Sequence, residues 1–202
     1  MAEVLDLTRV LDEHLTIYTS GSYSDPPLQV ETWCTVEQQG YAVARLRMGT
    51  QTGTHIDAPA HFVSGGTTLE ALPVQALMGR YLWVDLAHLR PPELDALSRG
   101  HTAESMLFLA SPEAARAEIS DEVLDFLLAL PCMVWISSGE VRVSGHDGLY
   151  FHRALAQAGR YLVEDVDEQA ARRVRPGGEL IALPLRLSGV SGSPCRVVVM
   201  QG

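Results

Sequence analysis

Residues 49–62 read GTQTGTHIDAPAHF and hold two histidines and one aspartate within seven positions, which makes this segment the most informative part of the chain. A helix is a poor interpretation, because Gly53 costs about 1 kcal/mol in a helix interior and Pro59 lacks a backbone donor. The three β-branched threonines also favour an extended chain. We therefore predict a strand through His55 and Asp57.

Alternate residues of a strand share one face, so Gln51, Gly53, His55 and Asp57 are expected to point the same way. Gly53 has no side chain and is expected to leave the space above it open. Imidazole and carboxylate are usual ligands of Zn²⁺ or Mn²⁺, so His55 and Asp57 are candidate ligands of one ion. His61 lies beyond Pro59 and is a candidate general acid/base beside the ion. On spacing alone, an ordinary strand with solvated or core-satisfied polar side chains is supported equally well.

A second pair of candidates lies about 90 residues further on. His152 begins a short helical pattern, and Glu164 follows the apolar run 161–163. A helix start and a strand end can lie side by side in an α/β fold. Without other information, a helix-start histidine and a solvated carboxylate are the simpler interpretation of this pair.

Composition places the chain among globular proteins. It has 202 residues, 47% of them hydrophobic and 20% charged, which suits a single domain over residues 1–202. The net charge of −10 argues against a nucleic-acid reader and against docking on anionic membranes.

Short apolar runs alternate with helical patterns along the chain. The runs predict strands near 30–36, 41–48, 81–86, 106–109, 133–136, 161–163, 180–187 and 197–200. Helical spacing is clearest over 121–130 and weaker over 68–78, 152–158 and 167–174. Residues 10–30 and 90–100 are expected to be surface loops. The mixture predicts an α/β fold with a mixed sheet.

The start of the chain has no basic segment followed by an apolar one, and no apolar run approaches the roughly 20 residues that span a bilayer. A cytoplasmic location is therefore expected. The three cysteines are scattered and are interpreted as buried apolar side chains.

The segment 51–62 resembles the H-x-G-T-H-x-D-x-P-x-H-F signature of the cyclase-like metal-dependent hydrolases, a family that includes bacterial kynurenine formamidase and isatin hydrolase. Further likeness is found at 6–8, 152–155, 161–164, 179–186 and 192–196. The resemblance implies a swivelling β/β/α fold. It also implies a homodimer or homotetramer that acts on a small-molecule substrate.

The resemblance further implies a divalent metal, Zn or Mn, as one or two ions. Carried over residue by residue, one ion would take Gln51, His55 and Asp57, and a second would take Asp57, His152 and Glu164. Gln51 stands where the signature has its first histidine, so a single ion on the other four side chains is an alternative. His61 matches the family's proton-shuttling histidine.

Two further departures from the family pattern concern the pocket. Residues 137–140 read SSGE where a T-G-W is frequent, and residues 16–27 lack the usual Y-P-G pattern. Substrate choice is therefore expected to differ. Phe62, Trp33 and Tyr23 are the candidate substrate-binding residues, because aromatic side chains could grip an aryl ring.

The resulting functional prediction is a metal-dependent hydrolase of a small amide, lactam or ester, such as an aryl formamide. Metal-bound hydroxide would attack the carbonyl carbon, and His61 would act as general acid/base. Two alternatives remain at this point. One is a natural-product tailoring cyclase or dehydratase that uses the same metal as a Lewis acid, and the other is a non-catalytic family member.

Overall fold

The computed structural model describes residues 2–89, 106–111 and 115–202, so the loop expected at 90–100 lies outside the described residues. The described strands are β1 (Glu3–Asp6), β2 (Thr19–Ser20), β3 (Tyr23–Ser24), β4 (Gln29–Cys34), β5 (Val43–Arg47), β6 (His55–Asp57), β7 (Met78–Asp85), β8 (Met106–Ala110), β9 (Arg116–Ile119), β10 (Val134–Ser137), β11 (Glu140–Val143), β12 (Tyr161–Glu164), β13 (Glu179–Pro184) and β14 (Gly192–Gln201).

The described α-helices are α1 (Val36–Gln39), α2 (Asp121–Ala129), α3 (Tyr150–Gln157) and α4 (Glu168–Ala171). Short 3₁₀ turns cover Pro59–His61, Leu69–Ala71 and Val74–Leu77. Helix α2 begins after Ser120, whose hydroxyl accepts a hydrogen bond from the backbone N–H of Val123, and Pro131 follows its end. This helix confirms the pattern predicted for residues 121–130.

Seven of the described strands form a closed mixed sheet in the order β14, β13, β7, β8, β10, β12 and β6, with β6 returning to β14. The central strands β7, β8, β10 and β12 are parallel, and the other pairings around the ring are antiparallel. Strand β14 closes the ring because its first residues pair with β6, and β1 joins it further along. The predicted α/β class with a mixed sheet is confirmed.

The inner parallel strands β8 and β10 are buried on both faces, as continuous apolar runs predict. In β8, Met106 and Phe108 belong to one core cluster, whereas Leu107 and Leu109 belong to the other. Helices α2 and α3 cover the second cluster through Leu124, Leu127, Phe151 and Leu155. This packing places the start of α3 beside the end of β12.

Several local expectations need correction. Residues 10–30 are not only loop, because β2 and β3 form a small hairpin there. Residues 68–78 form two 3₁₀ turns rather than an α-helix, since Pro73 separates them. Gly53 has φ +64°, so strict strand alternation does not reach back to Gln51. The space above Gly53 is not open either, because a Cβ there would lie 2.5 Å from Leu11 Cδ2.

Two further expectations concern cysteines and membranes. Cys34, Cys132 and Cys195 are buried, as predicted. No helix in the described parts of the chain is both long and apolar enough to cross a bilayer. A cytoplasmic location stays a prediction.

Candidate metal centre

Strand pairing brings distant residues together around β6. His55 lies directly opposite Glu164 of β12, and Asp57 lies opposite Gly192 of β14. Directly opposite residues of an antiparallel pair have Cβ atoms about 5 Å apart. The register of β6 against β12 therefore places the imidazole of His55 beside the carboxylate of Glu164.

Four of the predicted metal-ligating side chains converge at this point. His55 Nε2 lies 3.6 Å from Asp57 Oδ1 and 3.4 Å from Glu164 Oε1. His152, on helix α3, places its Nε2 2.9 Å from Glu164 Oε2. One ligand atom each from His55, Asp57 and Glu164 all lie within 4.8 Å of one another. Such a cluster is compact enough to share one cation.

The ring of His55 is held in one orientation. Its Nδ1 lies 2.7 Å from the carbonyl oxygen of Gly53, and because a carbonyl only accepts, Nδ1 carries the hydrogen and donates it. In the neutral ring, Nε2 then presents a lone pair to two carboxylates. That arrangement is stable only with a proton or a metal cation between them, since a lone pair and anionic oxygens repel each other.

Charge and burial perturb the pKa values of the cluster. His55 is 3% exposed and Asp57 is 5% exposed. Burial alone would lower the pKa of His55, but the hydrogen bond to Glu164 and the charge of Asp57 raise it to about 9. Burial raises the pKa of Asp57. Burial also opposes ionisation of Glu164, yet hydrogen bonds from His152 and His55 outweigh it and lower its pKa.

These residues fit a divalent ion. Every ion pair that Asp57 and Glu164 make among the described residues is with a histidine, so no permanent cation offsets the two carboxylates there. Two imidazoles and two carboxylates form a donor set that suits Zn²⁺ or Mn²⁺. The hydrogen bond from His55 to Gly53 is the kind of outer contact that orients a ligating histidine.

Gln51 reaches the cluster as a hydrogen-bond donor. Its Nε2 donates to Asp57 Oδ1 at 3.2 Å, and its Oε1 accepts from Thr50 Oγ1 at 2.6 Å. The amide oxygen that would ligate a metal is therefore engaged elsewhere. In this arrangement Gln51 supports Asp57 through a hydrogen bond. The side chains that face each other are those of the predicted single-ion alternative, which leaves Gln51 out.

His61 and Phe62 lie next to the cluster on the turn that follows β6. His61 Nε2 is 4.0 Å from Asp57 Oδ2, and its side chain is 33% exposed. The Phe62 ring packs between two imidazoles, with its centroid 4.5 Å from that of His61 and 5.6 Å from that of His152. His61 thus has a free face toward the space in front of the cluster.

That space is a cavity of about 800 Å³. His55, His61, Phe62, His152 and Glu164 form part of its wall, and Tyr18, Tyr23 and Ser137–Gly139 form other parts. Its volume falls within the range of small-molecule sites, which is about 300–1,000 Å³. The cluster therefore opens into a pocket large enough for a substituted aromatic ring.

The predicted substrate-binding residues are placed differently from one another. Phe62 and Tyr23 line the cavity, and Tyr18 lines it as well. Trp33 does not line it, because it lies on the β4–β5 hairpin, 65% exposed, with the Arg45 guanidinium 4.3 Å from its ring centroid. The structure gives Trp33 no contact with the candidate centre.

Two residues of the site were missed by sequence reasoning. A Cβ at Gly192 would collide with Gln51 Nε2 and lie 3.2 Å from Asp57 Oδ1, so glycine makes room for both side chains. The only sequence signal for Gly192 was that it begins the segment 192–196, which resembles the family. Arg9 lines the cavity and donates from Nε to the carbonyl of Val166, and no local pattern marks it.

Comparison with known proteins places the chain in a family. The family model for putative cyclases matches residues 5–152, nearly three quarters of the chain. The chain belongs to the Cyclase family. A relative, a kynurenine formamidase from Bacillus cereus, is 30% identical over 211 residues, covering 98% of this chain and 97% of its own. Because the chain matches this formamidase over nearly its full length, we identify it as a hydrolase.

Solved structures share the fold. Isatin hydrolase A from Labrenzia aggregata, bound to benzyl benzoate, superposes with a TM-score of 0.80 at 21% identity, covering 99% of this chain and 94% of its own. A protein from Bacillus stearothermophilus described as a predicted metal-dependent hydrolase superposes with a TM-score of 0.69 at 23% identity, covering 99% and 98%. The closed mixed sheet is therefore shared with other proteins of this type.

Proposed function

We propose that this protein is a metal-dependent hydrolase of the carbon–nitrogen bond of a small aryl formamide or a related amide or lactam. The observation that carries the proposal is the convergence of His55, Asp57, His152 and Glu164 beside the cavity, which three of them line. Full-length similarity to kynurenine formamidases supports a formamide-like, non-peptide substrate.

The four converging side chains would hold one Zn²⁺ or Mn²⁺ ion. Such an ion supplies a Lewis acid that lowers the pKa of water towards about 7 and polarises a carbonyl group. Asp57 and Glu164 provide the negative charge that the cation needs. Gln51 keeps Asp57 oriented by donating a hydrogen bond to Oδ1.

His61 would move the proton to the leaving nitrogen. Its Nε2 lies at the edge of the cluster, and its ring faces the cavity where a substrate would bind. The edge of its ring packs against Phe62, which limits its rotation. An imidazole can accept a proton at one step and return it at the next, which suits this role.

The cavity wall would select an aromatic substrate. Phe62 lies beside the two imidazoles, and Tyr18 and Tyr23 face the same space with ring centroids 6.5 Å apart. Tyr23 is fixed by a 2.6 Å hydrogen bond from its hydroxyl to Asp25 Oδ1. Aromatic rings contribute about 0.5–1.5 kcal/mol per stacked or edge-to-face pair, which favours aryl over alkyl amides.

The test combines elemental analysis with an activity assay. Protein purified without chelators should contain a divalent metal, and it should hydrolyse a formylated aromatic amine faster than a formylated alkyl amine. The variant His55→Ala should lose both metal and activity, whereas His88→Ala, which changes an exposed histidine beside Asp85, should lose neither. A product of unchanged mass would instead indicate an isomerising cyclase, and turnover by metal-free protein would contradict the proposal.

A further inference from the structure

Two buried nitrogen atoms without a hydrogen-bond partner lie beside one small cavity behind the candidate metal centre. They are His152 Nδ1 and Arg160 Nε, and both are inaccessible to solvent. Both residues line a cavity of about 10 Å³, which Asp57 also borders. A buried polar atom without a partner costs about 1–3 kcal/mol, so two at one place call for a common explanation.

The size and lining of the cavity indicate what occupies it. A site needs roughly 10–15 Å³ to hold a water molecule, and the cavity meets the lower limit. The remaining walls, from residues such as Ala58, Leu155 and Leu162, offer no polar side chain. A single water molecule is the partner that fits both the volume and the two nitrogen atoms.

We propose that one buried water molecule bridges Arg160 Nε and His152 Nδ1, and that Arg160 acts through it as a positioning residue for the His152 ring. The positioning role rests on the proposed function, in which His152 is a metal ligand. The water site itself does not, because it follows from the two unpartnered nitrogen atoms and the cavity that both residues line.

Arg160 is well placed to hold such a water. Its terminal nitrogen donates to the carbonyls of Leu128 and Leu130, each at 3.0 Å, at the end of helix α2. Its backbone N–H donates to the carbonyl of Leu155 at 2.9 Å. Because a guanidinium is planar, these anchors also fix the direction in which the Nε–H points. Arg160 therefore links α2 to the back of the metal centre.

The His152 ring needs a partner on this side. Its Nε2 faces Glu164, 2.9 Å away, so Nδ1 is the remaining nitrogen that can be held in place. A histidine that ligates through Nε2 carries its hydrogen on Nδ1 and donates it to an outer partner. The water would accept hydrogen bonds from Nδ1 and from Arg160 Nε, and it would donate towards Asp57. About three hydrogen bonds are usual for a buried water.

A simpler role for Arg160 is to cap the end of α2, and the test must separate the two roles. The variant Arg160→Lys retains a cation that can reach the Leu128 and Leu130 carbonyls, but it has no Nε–H. The matched control is Arg153→Lys, on α3, where Arg153 pairs with the exposed Asp147. A capping role alone predicts the same behaviour from both variants.

The first measurement is a crystal structure of the metal-free protein at a resolution that reveals ordered water. We expect one water within hydrogen-bonding distance of both nitrogen atoms. An empty cavity, or an Arg160 Nε–H that donates elsewhere, would overturn the proposal. This result does not depend on metal binding, so it separates the water site from the proposed function.

The second measurement is the Zn²⁺ dissociation constant, from competition with a chelator, together with the ¹⁵N spectrum of labelled histidines. Loss of an outer partner commonly weakens metal binding about 10–100-fold, so Arg160→Lys should weaken Zn²⁺ binding at least about 10-fold. It should also shift the Nδ1 signal of His152. Arg153→Lys should change neither. Parent-like affinity and an unchanged His152 signal in Arg160→Lys would exclude the positioning role.

Discussion

His55 has one nitrogen committed to the backbone and the other facing two carboxylates, and this arrangement defines the chemistry of the centre. In the metal-free protein a proton occupies the place that the cation would take. The exchange between proton and metal therefore governs how the residue behaves as the pH changes.

The metal-free protein should lose stability as the pH rises from neutral to alkaline. The folded pKa of His55 is raised to about 9, above the unfolded value of 6.5, because Glu164 and Asp57 favour its charged form despite burial. The contribution of His55 to the free energy of unfolding is thus complete below about pH 6.5 and is lost as the pH rises through about 9. Thermal melts of chelator-treated protein at pH 6–9.5 should show a falling Tm. A smaller fall in Tm is expected for His55→Gln. An identical fall in Tm would show that His55 is not the group responsible.

Replacing His61 should separate catalysis from metal binding. His61→Ala should retain the metal content of the parent, because the four converging side chains are intact, while kcat falls by roughly 10²–10⁴. Elemental analysis and steady-state kinetics on the same sample measure both quantities. His88→Ala serves as the control, and unchanged turnover in His61→Ala would remove this residue from the mechanism.

Replacing Gln51 should leave the ion count unchanged. Gln51 donates to Asp57 Oδ1 and its amide oxygen is occupied by Thr50, so it is not positioned as a ligand. Gln51→Ala should therefore bind as many ions per chain as the parent, with weaker affinity because Asp57 loses a hydrogen bond. The number of ions is measured by titration followed by elemental analysis. Loss of one ion from a parent that holds two would show that Gln51 ligates a metal.

At the level of elements, the segment leading into β6 holds the centre in place. Gly53 has φ +64°, and a Cβ there would lie 2.5 Å from Leu11 Cδ2. Its carbonyl also orients His55. The backbone conformation at this position therefore favours glycine.

Gly53→Ala should weaken both folding and metal binding. A non-glycine residue at this φ costs about 1–2 kcal/mol, and relief of that strain would shift the Gly53 carbonyl that orients His55. Gly65→Ala is the matched control, because Gly65 has φ +72° but open space around it. Unfolding by urea and a Zn²⁺ titration should show that only Gly53→Ala loses metal affinity. Equal losses in both variants would assign the effect to backbone strain alone.

Local patterns predicted most of the elements but not how they meet. The apolar runs predicted β7, β8, β10 and β12 to within a few residues, and capping predicted α2. The closing of the sheet depends on β6 pairing with both β12 and β14, and such long-range register leaves no local signal. The closeness of His152 and Glu164 to His55 could therefore be predicted only from the family resemblance. The role of Arg160 could be predicted neither from local patterns nor from that resemblance.

At the scale of the whole molecule, the β4–β5 hairpin carries a cluster of exposed apolar side chains. β4 and β5 pair only with each other among the described strands. Six large apolar side chains on and around the hairpin are 44–65% exposed, namely Val30, Trp33, Val36, Tyr41, Val43 and Leu46. An isolated two-stranded hairpin is only marginally stable in water, so a covering surface is expected.

We expect a second copy of this chain to cover the hairpin. Burying the six side chains would remove on the order of 700 Å² from each copy, close to the roughly 800 Å² per partner of a standard interface. Glu31 and Arg45 pair on the hairpin, so its surface carries both charges and can meet itself across a two-fold axis. The hairpin also lies between Asp25 and Gln51 in the chain, both of which line the cavity.

The oligomeric state of the purified protein tests this expectation. Light scattering should give at least a dimer for the parent, and Leu46→Glu should shift it to the monomer because it places a charge among the six apolar side chains. Val10→Glu, at an even more exposed apolar position outside the hairpin, should leave the dimer intact. A monomeric parent would show that the hairpin is not a self-association surface.

Strand β14 has one further consequence, for the order of events during synthesis. Its residues Gly192–Pro194 are the partners that close β6 into the ring, although His55 and Asp57 are made much earlier. Until residue 194 has left the ribosome, β6 has an unpaired edge, and the ion-binding cluster lacks one of its two supporting strands. We therefore expect the cluster to reach its full metal affinity only once residues 192–194 have been synthesised and have paired with β6.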